Sequence, residues 1–434
     1  MTSNQAQSDL SRGLWAASLK QRADCGPLTQ EISVDLAVIG GGFTGCSAAY
    51  EAARSGASVA LLEAHDIGEG GSGRNVGLVN AGLWLPPDVI LTQMGDAPGR
   101  HLIDVLGRAP DLVFDLITRE GIECEATRAG TLHLAHAASG LKDLQNRHRQ
   151  GNQFGASLHL LDAAETQRRT GSDAFHGALL NPAAGTVQPL AYCHGLAQAA
   201  QRAGAQLFAN SPVEALRHEA GQWQLMTPQG IVRAGALLVA TNAYAEAAAL
   251  PERPQYVPVN YCQFATRPMS AEQQARILPA GEGCWDTAQV MSSIRRDAAG
   301  RMIVGGMGNS RGLGAALHAG WARHKLRSLY PELGDQPFEH HWSGRIAMTS
   351  DHIPKVQVFG PNAYAIFGYS GRGIAPGTVF GTAAAKALLS GDDSHLPLPV
   401  VEAYAERFTA AKGAFFEFGA TMVHTLNRLP FTAR

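Results

Sequence analysis

Apolar and polar residues form strand-like and helix-like patterns along the chain, and the clearest succession lies near the N-terminus. The apolar run at residues 34–39 predicts a strand buried on both faces, and the run at 59–62 predicts a second strand. A helical pattern at 44–54 connects the two strands. A helix between two buried strands is the connection that parallel strands require. These residues therefore predict a strand, helix, strand unit.

The turn between the first strand and the helix carries three glycines in GxGxxG spacing, Gly40, Gly42 and Gly45. Gly40 permits a tight turn, Gly42 lets a pyrophosphate approach the backbone, and Gly45 lets the helix pack against the strand. The helix N-terminus offers free N–H groups to phosphates. Glu63 follows the second strand, where a carboxylate accepts hydrogen bonds from ribose hydroxyls and disfavours a 2′-phosphate. The unit therefore predicts a bound adenine dinucleotide.

Further strand and helix patterns follow in the rest of the chain. Residues 67–82 form a loop too rich in glycine for a regular element, and loops of this length are usually functional or disordered. Recurring strand patterns at 256–342 indicate a second sheet. The other predicted elements are a helical region at 88–148 interrupted by an alternating, half-buried strand at 130–137, a helix at 190–204, a β-meander at 221–244 that leads into a buried strand at 237–241, a strand, glycine turn and helix at 360–391, and a helical C-terminal region at 400–429.

Composition narrows the class of protein. A length of 434 residues predicts two domains, and 45% hydrophobic with 17% charged residues is the composition of an ordinary globular protein. A net charge of -2 without a basic block argues against nucleic acid as a partner. Six cysteines without a CxxC pair indicate reduced thiols in a cytoplasmic protein. No apolar run predicts a secretory signal or a transmembrane segment, while peripheral membrane association through a surface patch stays open.

The first unit alone leaves NAD and FAD open, because both bind through the same turn. Three later segments favour FAD. They are GSGRNVG at 71–77, LLVATNAY at 237–244, and the pair WSGRIAMTSDHIPKV at 342–356 and YAIFGYSGRGIAPGTVFG at 364–381. In this order the chain resembles the FAD-dependent amine oxidoreductases of the D-amino-acid oxidase and glycine oxidase superfamily. The GSGRN loop and the GYSG turn look most like the gamma-glutamylputrescine oxidase and pipecolate oxidase branch.

The resemblance implies an α/β fold, α+β overall, with two domains. One is a discontinuous Rossmann-like FAD-binding domain, and the other is a substrate domain built on an antiparallel sheet. The implied division is an N-terminal lead-in at 1–30, an FAD-binding domain at 31–92, 181–250 and 343–395, a substrate domain at 93–180 and 251–342, and a C-terminal helical region at 396–434.

The resemblance also implies which residues bind FAD. The ADP half would contact the glycine turn and Glu63, the 71–77 loop would follow the pyrophosphate, and the last glycine turn would lie at the flavin edge. The implied cofactor residues are Gly40, Gly42, Phe43, Thr44, Gly45, Glu63, Ala64, Gly71, Ser72, Gly73, Arg74, Asn75, Gly77, Val213, Ala240, Thr241, Gly344, Gly371, Arg372, Gly373 and Ile374. No histidine or cysteine lies between residues 70 and 77, so we expect non-covalent FAD, with Cys262 and Cys284 as the alternative attachment points.

In this chemistry the flavin takes a hydride at N5 from the carbon next to a neutral amine, and the imine product hydrolyses. No dedicated catalytic base is required if burial lowers the amine pKa. We therefore expect an aromatic, weakly polar substrate pocket. The candidate substrate-binding residues are Trp84, Tyr261, Trp342, Arg345, Tyr369 and Arg372. One departure is Ala375, which stands where the resembling sarcosine oxidases carry a lysine that holds the substrate carboxylate.

Other functions remain as alternatives. The electron acceptor is oxygen in an oxidase, and a quinone or electron-transfer partner in a dehydrogenase, and the sequence does not distinguish them. A flavin-dependent 2-hydroxy acid dehydrogenase and a non-catalytic flavin electron-transfer subunit are the competing hypotheses. The histidine pairs 133/136 and 340/341 lack the spacing of a helical zinc motif, so no metal site is predicted.

Overall fold

The computed structural model describes residues 13–250, 252–310 and 314–426. The parts of the predicted lead-in at 1–12 and of the C-terminal region at 427–434 lie outside the described residues. The strands are β1 (Glu31–Ile39), β2 (Val59–Leu62), β3 (Leu78–Val79), β4 (Thr131–Leu134), β5 (His159–Leu161), β6 (Ala178–Asn181), β7 (Gly185–Thr186), β8 (Gln206–Phe208), β9 (Ala215–Glu219), β10 (Gln222–Met226), β11 (Ile231–Val239), β12 (Val257–Pro268), β13 (Gly283–Asp286), β14 (Ser292–Arg296), β15 (Arg301–Met307), β16 (Phe338–Met348), β17 (Lys355–Gly360) and β18 (Ala363–Phe367).

The helices lie between these strands and at the C-terminal end of the described chain. They are α1 (Phe43–Arg54), α2 (Pro87–Met94), α3 (Asp96–Gly107), α4 (Ala109–Glu120), α5 (Ala138–Gln153), α6 (Ala163–Thr170), α7 (Pro189–Arg202), α8 (Ala271–Arg276), α9 (Gly314–Leu329), α10 (Ile374–Ser390) and α11 (Thr409–Leu426).

The first sheet has the order β17-β18-β11-β1-β2-β8, and a hairpin of β9 and β10 joins it through β11. Strand β1 lies in the middle and pairs in parallel with β2 and with β11. Alternate β1 side chains enter two different cores, with Leu36 and Val38 on the side of α1, α7 and α10, and Ala37 and Ile39 on the other side. The strand predicted to be buried on both faces is therefore the centre of a parallel sheet.

Helices α1 and α10 cross in close contact on one face of this sheet. A Cβ atom added at Gly381 of α10 would lie 2.1 Å from the Thr44 carbonyl oxygen of α1, and one added at Gly377 would lie 3.2 Å from the Thr44 hydroxyl oxygen. Small residues at these positions let the two helix backbones approach each other. The approach fixes the two helix N-termini relative to one another.

The second sheet has the order β16-β12-β15-β14-β13-β4-β6-β5 and is antiparallel apart from the parallel pair of β13 and β4. Helices α9 and α11 pack on one of its faces and contact β12. The four residues of β4 are all buried, whereas the sequence predicted a half-buried strand. Both faces of β4 are covered, because Leu132 and Leu134 pack in the core of the second sheet and His133 on the other face stacks on Trp285. The predicted domain boundary at residue 343 falls inside β16, which continues in this sheet to Met348.

No helix in the described part of the chain is both long and apolar enough to cross a membrane. The part of the lead-in from residue 13 onward is docked, since Leu14 and Trp15 are buried in a small core with Leu190 and Trp342.

Candidate active site

A cavity of about 1230 Å³ is lined by both sheets. The first sheet supplies the ends of β1, β2 and β11, and the second sheet supplies parts of β12, β15 and β16. Its walls extend from Ile39 to Ile374, so segments distant in sequence meet at one place. The cavity lies at the carboxyl ends of the parallel strands, where open α/β sheets bind ligands.

The glycine turn leaves no room for side chains. Gly40 has φ +108°, and a Cβ atom there would lie 2.9 Å from the Ala240 carbonyl oxygen. A Cβ atom at Gly42 would lie 2.8 Å from the Ser72 hydroxyl oxygen, and one at Gly45 would lie 1.9 Å from the Gly40 carbonyl oxygen. The turn therefore presents bare backbone to the cavity and holds α1 tightly against it.

Glu63 closes the other side of this turn. Its Oε2 accepts a hydrogen bond of 2.7 Å from the Gly41 N–H, and its Oε1 accepts one of 3.0 Å from the His65 N–H. Burial raises the pKa of Glu63, and the two backbone hydrogen bonds act against that shift. The carboxylate thus braces the glycine turn and lines the cavity, where its remaining lone pairs can accept ribose hydroxyls.

The glycine loop is held by its own polar side chains. Asn75 Nδ2 donates to the carbonyl oxygens of Gly71 (3.1 Å) and Ser72 (2.8 Å), while Asn75 Oδ1 accepts from the Gly77 N–H (2.8 Å). The Ser72 hydroxyl accepts the Phe43 N–H at the start of α1 (3.0 Å). The loop therefore caps one of the free N–H groups of the helix that faces the cavity.

Arg74 fixes this loop from two directions. Its Nε donates to the Glu69 carbonyl oxygen (2.8 Å), and its guanidinium pairs with the Glu69 carboxylate at 3.0 Å. Its own carbonyl oxygen accepts from Trp342 Nε1 (3.0 Å) and Gln263 Nε2 (3.3 Å). The residue therefore connects the glycine loop to β12 and β16 of the second sheet.

Arg295 of β14 is a clamp that the sequence did not reveal. Its guanidinium is buried and donates to the carbonyl oxygens of Val76 (3.2 Å), Gly77 (3.1 Å) and Val187 (2.7 Å). Burial lowers the pKa of Arg295 to about 10. Arg295 is one of two consecutive arginines in a strand, and the local sequence does not show that either one is buried. Only the fold shows that the Arg295 side chain holds the glycine loop.

Three buried polar atoms of cavity-lining residues lack a hydrogen-bond partner among the described residues. They are the hydroxyl oxygen of Thr241, Oε1 of Gln263 and Nε1 of Trp285. The N-terminal ends of α1 and α10 also face the cavity, through Phe43 and Ile374. Bare glycine backbone, two helix N-termini, a ribose acceptor and unpaired hydrogen-bonding groups fit FAD, in which a pyrophosphate joins an adenosine to a flavin.

Aromatic residues line the part of the cavity next to the second sheet. Trp84 and Trp285 meet edge to face with ring centroids 6.2 Å apart, and His133 stacks on Trp285 at 5.0 Å. The Tyr261 hydroxyl donates to the Ser293 hydroxyl oxygen (3.1 Å), and burial raises the pKa of Tyr261. This region is aromatic and weakly polar.

Arg372 lies behind this aromatic wall. Its guanidinium carbon is 4.8 Å from the Trp84 ring centroid and 5.5 Å from that of Trp285, and Nη1 donates to the Ala81 carbonyl oxygen (2.5 Å). Burial, followed by the charge of Arg147, lowers the pKa of Arg372 to about 9. The guanidinium holds two tryptophan rings in place.

Most predicted site residues line the cavity, and five do not. Gly45, Gly73 and Gly77 pack against neighbouring backbone, Arg372 lies behind the aromatic wall, and Trp342 packs edge to face on Trp15. Those in the lining are Gly40, Gly42, Phe43, Thr44, Glu63, Ala64, Gly71, Ser72, Arg74, Asn75, Trp84, Val213, Ala240, Thr241, Tyr261, Gly344, Arg345, Tyr369, Gly371, Gly373 and Ile374.

Several lining residues carried no signal in the sequence. Gln263 and Trp285 lie on strands whose facing side chains depend on sheet pairing, and Asp286 ends β13 at the cavity. The Asp286 carboxylate accepts from Lys325 Nζ (2.8 Å) and from the Ser292 N–H and hydroxyl. Burial alone would raise the pKa of Asp286, but the charge of Lys325 and these hydrogen bonds outweigh it and lower the pKa.

Neither Cys262 nor Cys284 lines the cavity, and both are buried in the core of the second sheet. The described residues contain no group of three or more histidine, cysteine, aspartate or glutamate side chains placed to hold a metal ion.

The fold and the cavity together define an FAD-dependent oxidoreductase. A profile of the family described as DAO, FAD dependent oxidoreductase, matches residues 35–387, and the chain belongs to this family. This confirms the predicted superfamily, fold class and cofactor.

Similar proteins agree with this assignment. The chain is 30% identical over 380 residues to a probable oxidoreductase, OrdL, of Haemophilus influenzae, with 86% of each chain covered. It is 29% identical over 416 residues to the gamma-glutamylputrescine oxidoreductase of Escherichia coli (strain K12), covering 93% of this chain and 96% of that protein. The crystal structure of glycine oxidase from Geobacillus kaustophilus superposes with a TM-score of 0.69 and 20% identity, over 86% of this chain and 100% of that one.

Proposed function

We propose that the protein oxidises a C–N bond of a primary or secondary amine or amino acid, such as a gamma-glutamyl polyamine, a pipecolate-like compound or an N-methyl amino acid. The observation that carries the proposal is the aromatic, weakly polar wall of Trp84, Tyr261 and Trp285 beside the second sheet. Similarity to gamma-glutamylputrescine oxidoreductase over 93% of the chain supports the same class of bond.

The residues of this wall exclude water and orient the substrate. FAD, when bound, would supply the acceptor for the hydride that leaves the carbon next to the amine nitrogen. Tyr261 and Gln263 lie two residues apart on β12 and both line the cavity, so they project from the same face of the strand. Gln263 Oε1 is an unpaired acceptor that can receive an N–H group. Arg345 also lines the cavity and is the proposed partner of an anionic substrate group.

The amine must be neutral before hydride can leave its neighbouring carbon. Asp286 is a poor base for this proton, because its carboxylate is already paired with Lys325. Burial lowers the pKa of His133 well below its usual range, and the charges of Arg147 and Arg372 lower it further, so His133 is a weak proton acceptor. We infer that burial of the substrate ammonium in the aromatic region lowers its pKa and releases the proton.

Anaerobic bleaching of the flavin absorbance tests the proposal. The panel contains pipecolate, proline analogues, N-methyl amino acids, gamma-glutamyl polyamines, simple diamines and, as the matched alternative, 2-hydroxy acids. We expect at least one amine to bleach the flavin, at a rate that rises with pH through one ionisation below the pKa of the free amine. Bleaching by hydroxy acids alone, or by no compound, contradicts amine oxidation.

The acceptor is decided in a second assay with the amine that bleaches fastest. Peroxide formation in air and reduction of a quinone analogue are measured at the same enzyme concentration. Faster turnover with oxygen identifies an oxidase, and faster turnover with the quinone identifies a dehydrogenase. We propose the cytoplasm as the location, because all six cysteines are free thiols.

A further inference from the structure

Helix α11 carries a stripe of exposed apolar side chains on the face turned away from the second sheet. The stripe consists of Ala411, Phe415, Phe418, Met422 and Leu426, with spacings of four, three, four and four residues. Phe415, Phe418, Met422 and Leu426 are 71%, 64%, 48% and 45% exposed. These spacings are close to the 3.5-residue repeat that places side chains along a helix-helix seam.

The stripe is as large as the largest apolar patches that typical monomers expose. With Phe408, which is 78% exposed and immediately precedes the helix, its exposed area is about 600 Å², at the upper end of the largest patch on a typical monomer. Two such stripes facing each other would bury about 1,200 Å², the lower bound of a specific interface. The area therefore suffices for a pair of identical helices.

Charge on α11 is confined to other faces. Lys412 pairs with Glu406, and Glu417 accepts hydrogen bonds from Asn260 Nδ2 (3.1 Å) and the Asn309 N–H (2.9 Å). Helices that lie on a lipid surface carry lysine and arginine beside the apolar face, and the single lysine of this helix is already paired. An uncharged, narrow seam favours another helix over a lipid headgroup layer.

We propose that α11 pairs with α11 of a second copy, antiparallel about a two-fold axis near Phe418, to form a homodimer. In this arrangement Phe415 meets Met422 of the second copy, and the small Ala411 lies opposite Leu426. An isologous contact of this kind closes on itself and leaves no further copy of the surface exposed. The large side chains of one helix therefore face the smaller ones of the other.

Pairing also supports the cavity wall. Glu417 projects from the opposite side of α11, and two of its partners, Asn260 and Asn309, line the cavity, while its third partner is His318. Dimer formation therefore holds the helix that positions this part of the wall.

The test is the mass of the FAD-loaded protein in solution, measured by light scattering and by sedimentation velocity across a concentration series. We expect a species of twice 45.8 kDa. Phe418→Glu brings two carboxylates together at the axis and is expected to give a folded monomer with unchanged flavin absorbance and far-UV circular dichroism. Leu160→Glu is the matched control, because Leu160 on β5 is also an exposed leucine and is expected to leave the dimer intact.

A second variant tests the axis directly and does not depend on loss of assembly. Phe418→Cys is expected to form an intermolecular disulfide when oxidised with copper phenanthroline, whereas Leu160→Cys is not. A wild-type monomer at every concentration overturns the proposal, and so does a Phe418→Glu dimer. A third outcome also overturns the proposal. If the wild type is a monomer that sediments with vesicles of phosphatidylcholine and phosphatidylglycerol, and Phe418→Glu does not sediment with them, the stripe binds lipid.

Discussion

Replacing Gly381 by alanine tests whether the contact between α1 and α10 sets the geometry of the cofactor site. The added Cβ would lie 2.1 Å from the Thr44 carbonyl oxygen, whereas ordinary van der Waals contacts begin at 3.4 Å. The backbone on both sides is helical, so neither side chain rotation nor local adjustment relieves the overlap. The two helices must separate by more than about 1 Å, a shift of the size that forced overpacking produces.

Two effects of opposite sign determine the size of the change. Alanine in place of glycine inside a helix favours folding by about 0.5–1 kcal/mol. Overpacking of a close contact costs about 1–3 kcal/mol and occasionally more. We therefore expect Gly381→Ala to lower the free energy of unfolding by about 1–2 kcal/mol. Because both helix N-termini face the cavity, we also expect weaker FAD binding.

Gly107→Ala in α3 is the matched control, because a Cβ atom at Gly107 meets nothing within 4 Å and the residue lies outside α11. That variant changes only the intrinsic helix propensity, and its free energy of unfolding is expected to be slightly higher than that of the wild type. The assays are urea unfolding of the apoprotein and titration of the apoprotein with FAD, followed by flavin fluorescence. The reasoning is refuted if Gly381→Ala is as stable as Gly107→Ala and binds FAD with wild-type affinity.

Three further predictions concern individual side chains. Glu63→Gln, which keeps only one of two oxygen acceptors and loses the charge, should raise the Kd for FAD by about 10- to 100-fold. Equal affinity for Glu63→Gln and the exposed control Glu402→Gln would contradict this. Arg372→Met removes the cation that contacts two tryptophan rings. It should raise the KM for the amine that bleaches the flavin by about fivefold or more, while the Kd for FAD changes less than twofold. An unchanged KM would show that Arg372 does not hold the tryptophan rings in place for the substrate. Burial against Trp321 lowers the pKa of His424 to about 3, so protonation favours the unfolded chain and stability is lost as pH falls below about 6.5. The free energy of unfolding should therefore differ less between pH 7.5 and pH 5 in His424→Phe than in the wild type, by about 2 kcal/mol. Urea unfolding at both pH values measures this difference. If the difference is as large as in the wild type, other groups cause the loss of stability at low pH.

The sequence was most informative where local rules decide the structure. The strand, glycine turn and helix near the N-terminus depend on backbone room and helix geometry, and β1, α1 and β2 lie within three residues of their predicted positions. The strand predicted at 237–241 was recognisable from the apolar end of β11, whose residues 236–239 are all buried between β1 and β18, although β11 begins at Ile231 and ends at Val239. These elements account for the dinucleotide part of the cavity.

The substrate side depends on sheet pairing, which the sequence does not display. Trp342 was a reasonable pocket candidate next to a flavin-side glycine, yet in β16 it packs against Trp15 and donates to the Arg74 carbonyl oxygen. Trp285 and Gln263 reach the cavity only because β13 and β12 present those alternate positions toward it. Which face of a strand lies inside is a property of the assembled sheet, so these residues could not be predicted.

The placement of β1 also affects how the protein is made. During synthesis, β1 emerges from the ribosome shortly before its neighbour β2. Its other neighbour is β11, where Ile231 pairs with Glu31, and this strand is synthesised two hundred residues later. The cavity is completed only when Ile374 has emerged. We therefore expect FAD to load only after near-complete synthesis. The supply of flavin in the cell would then act on finished chains, in which β1 is paired with both β2 and β11.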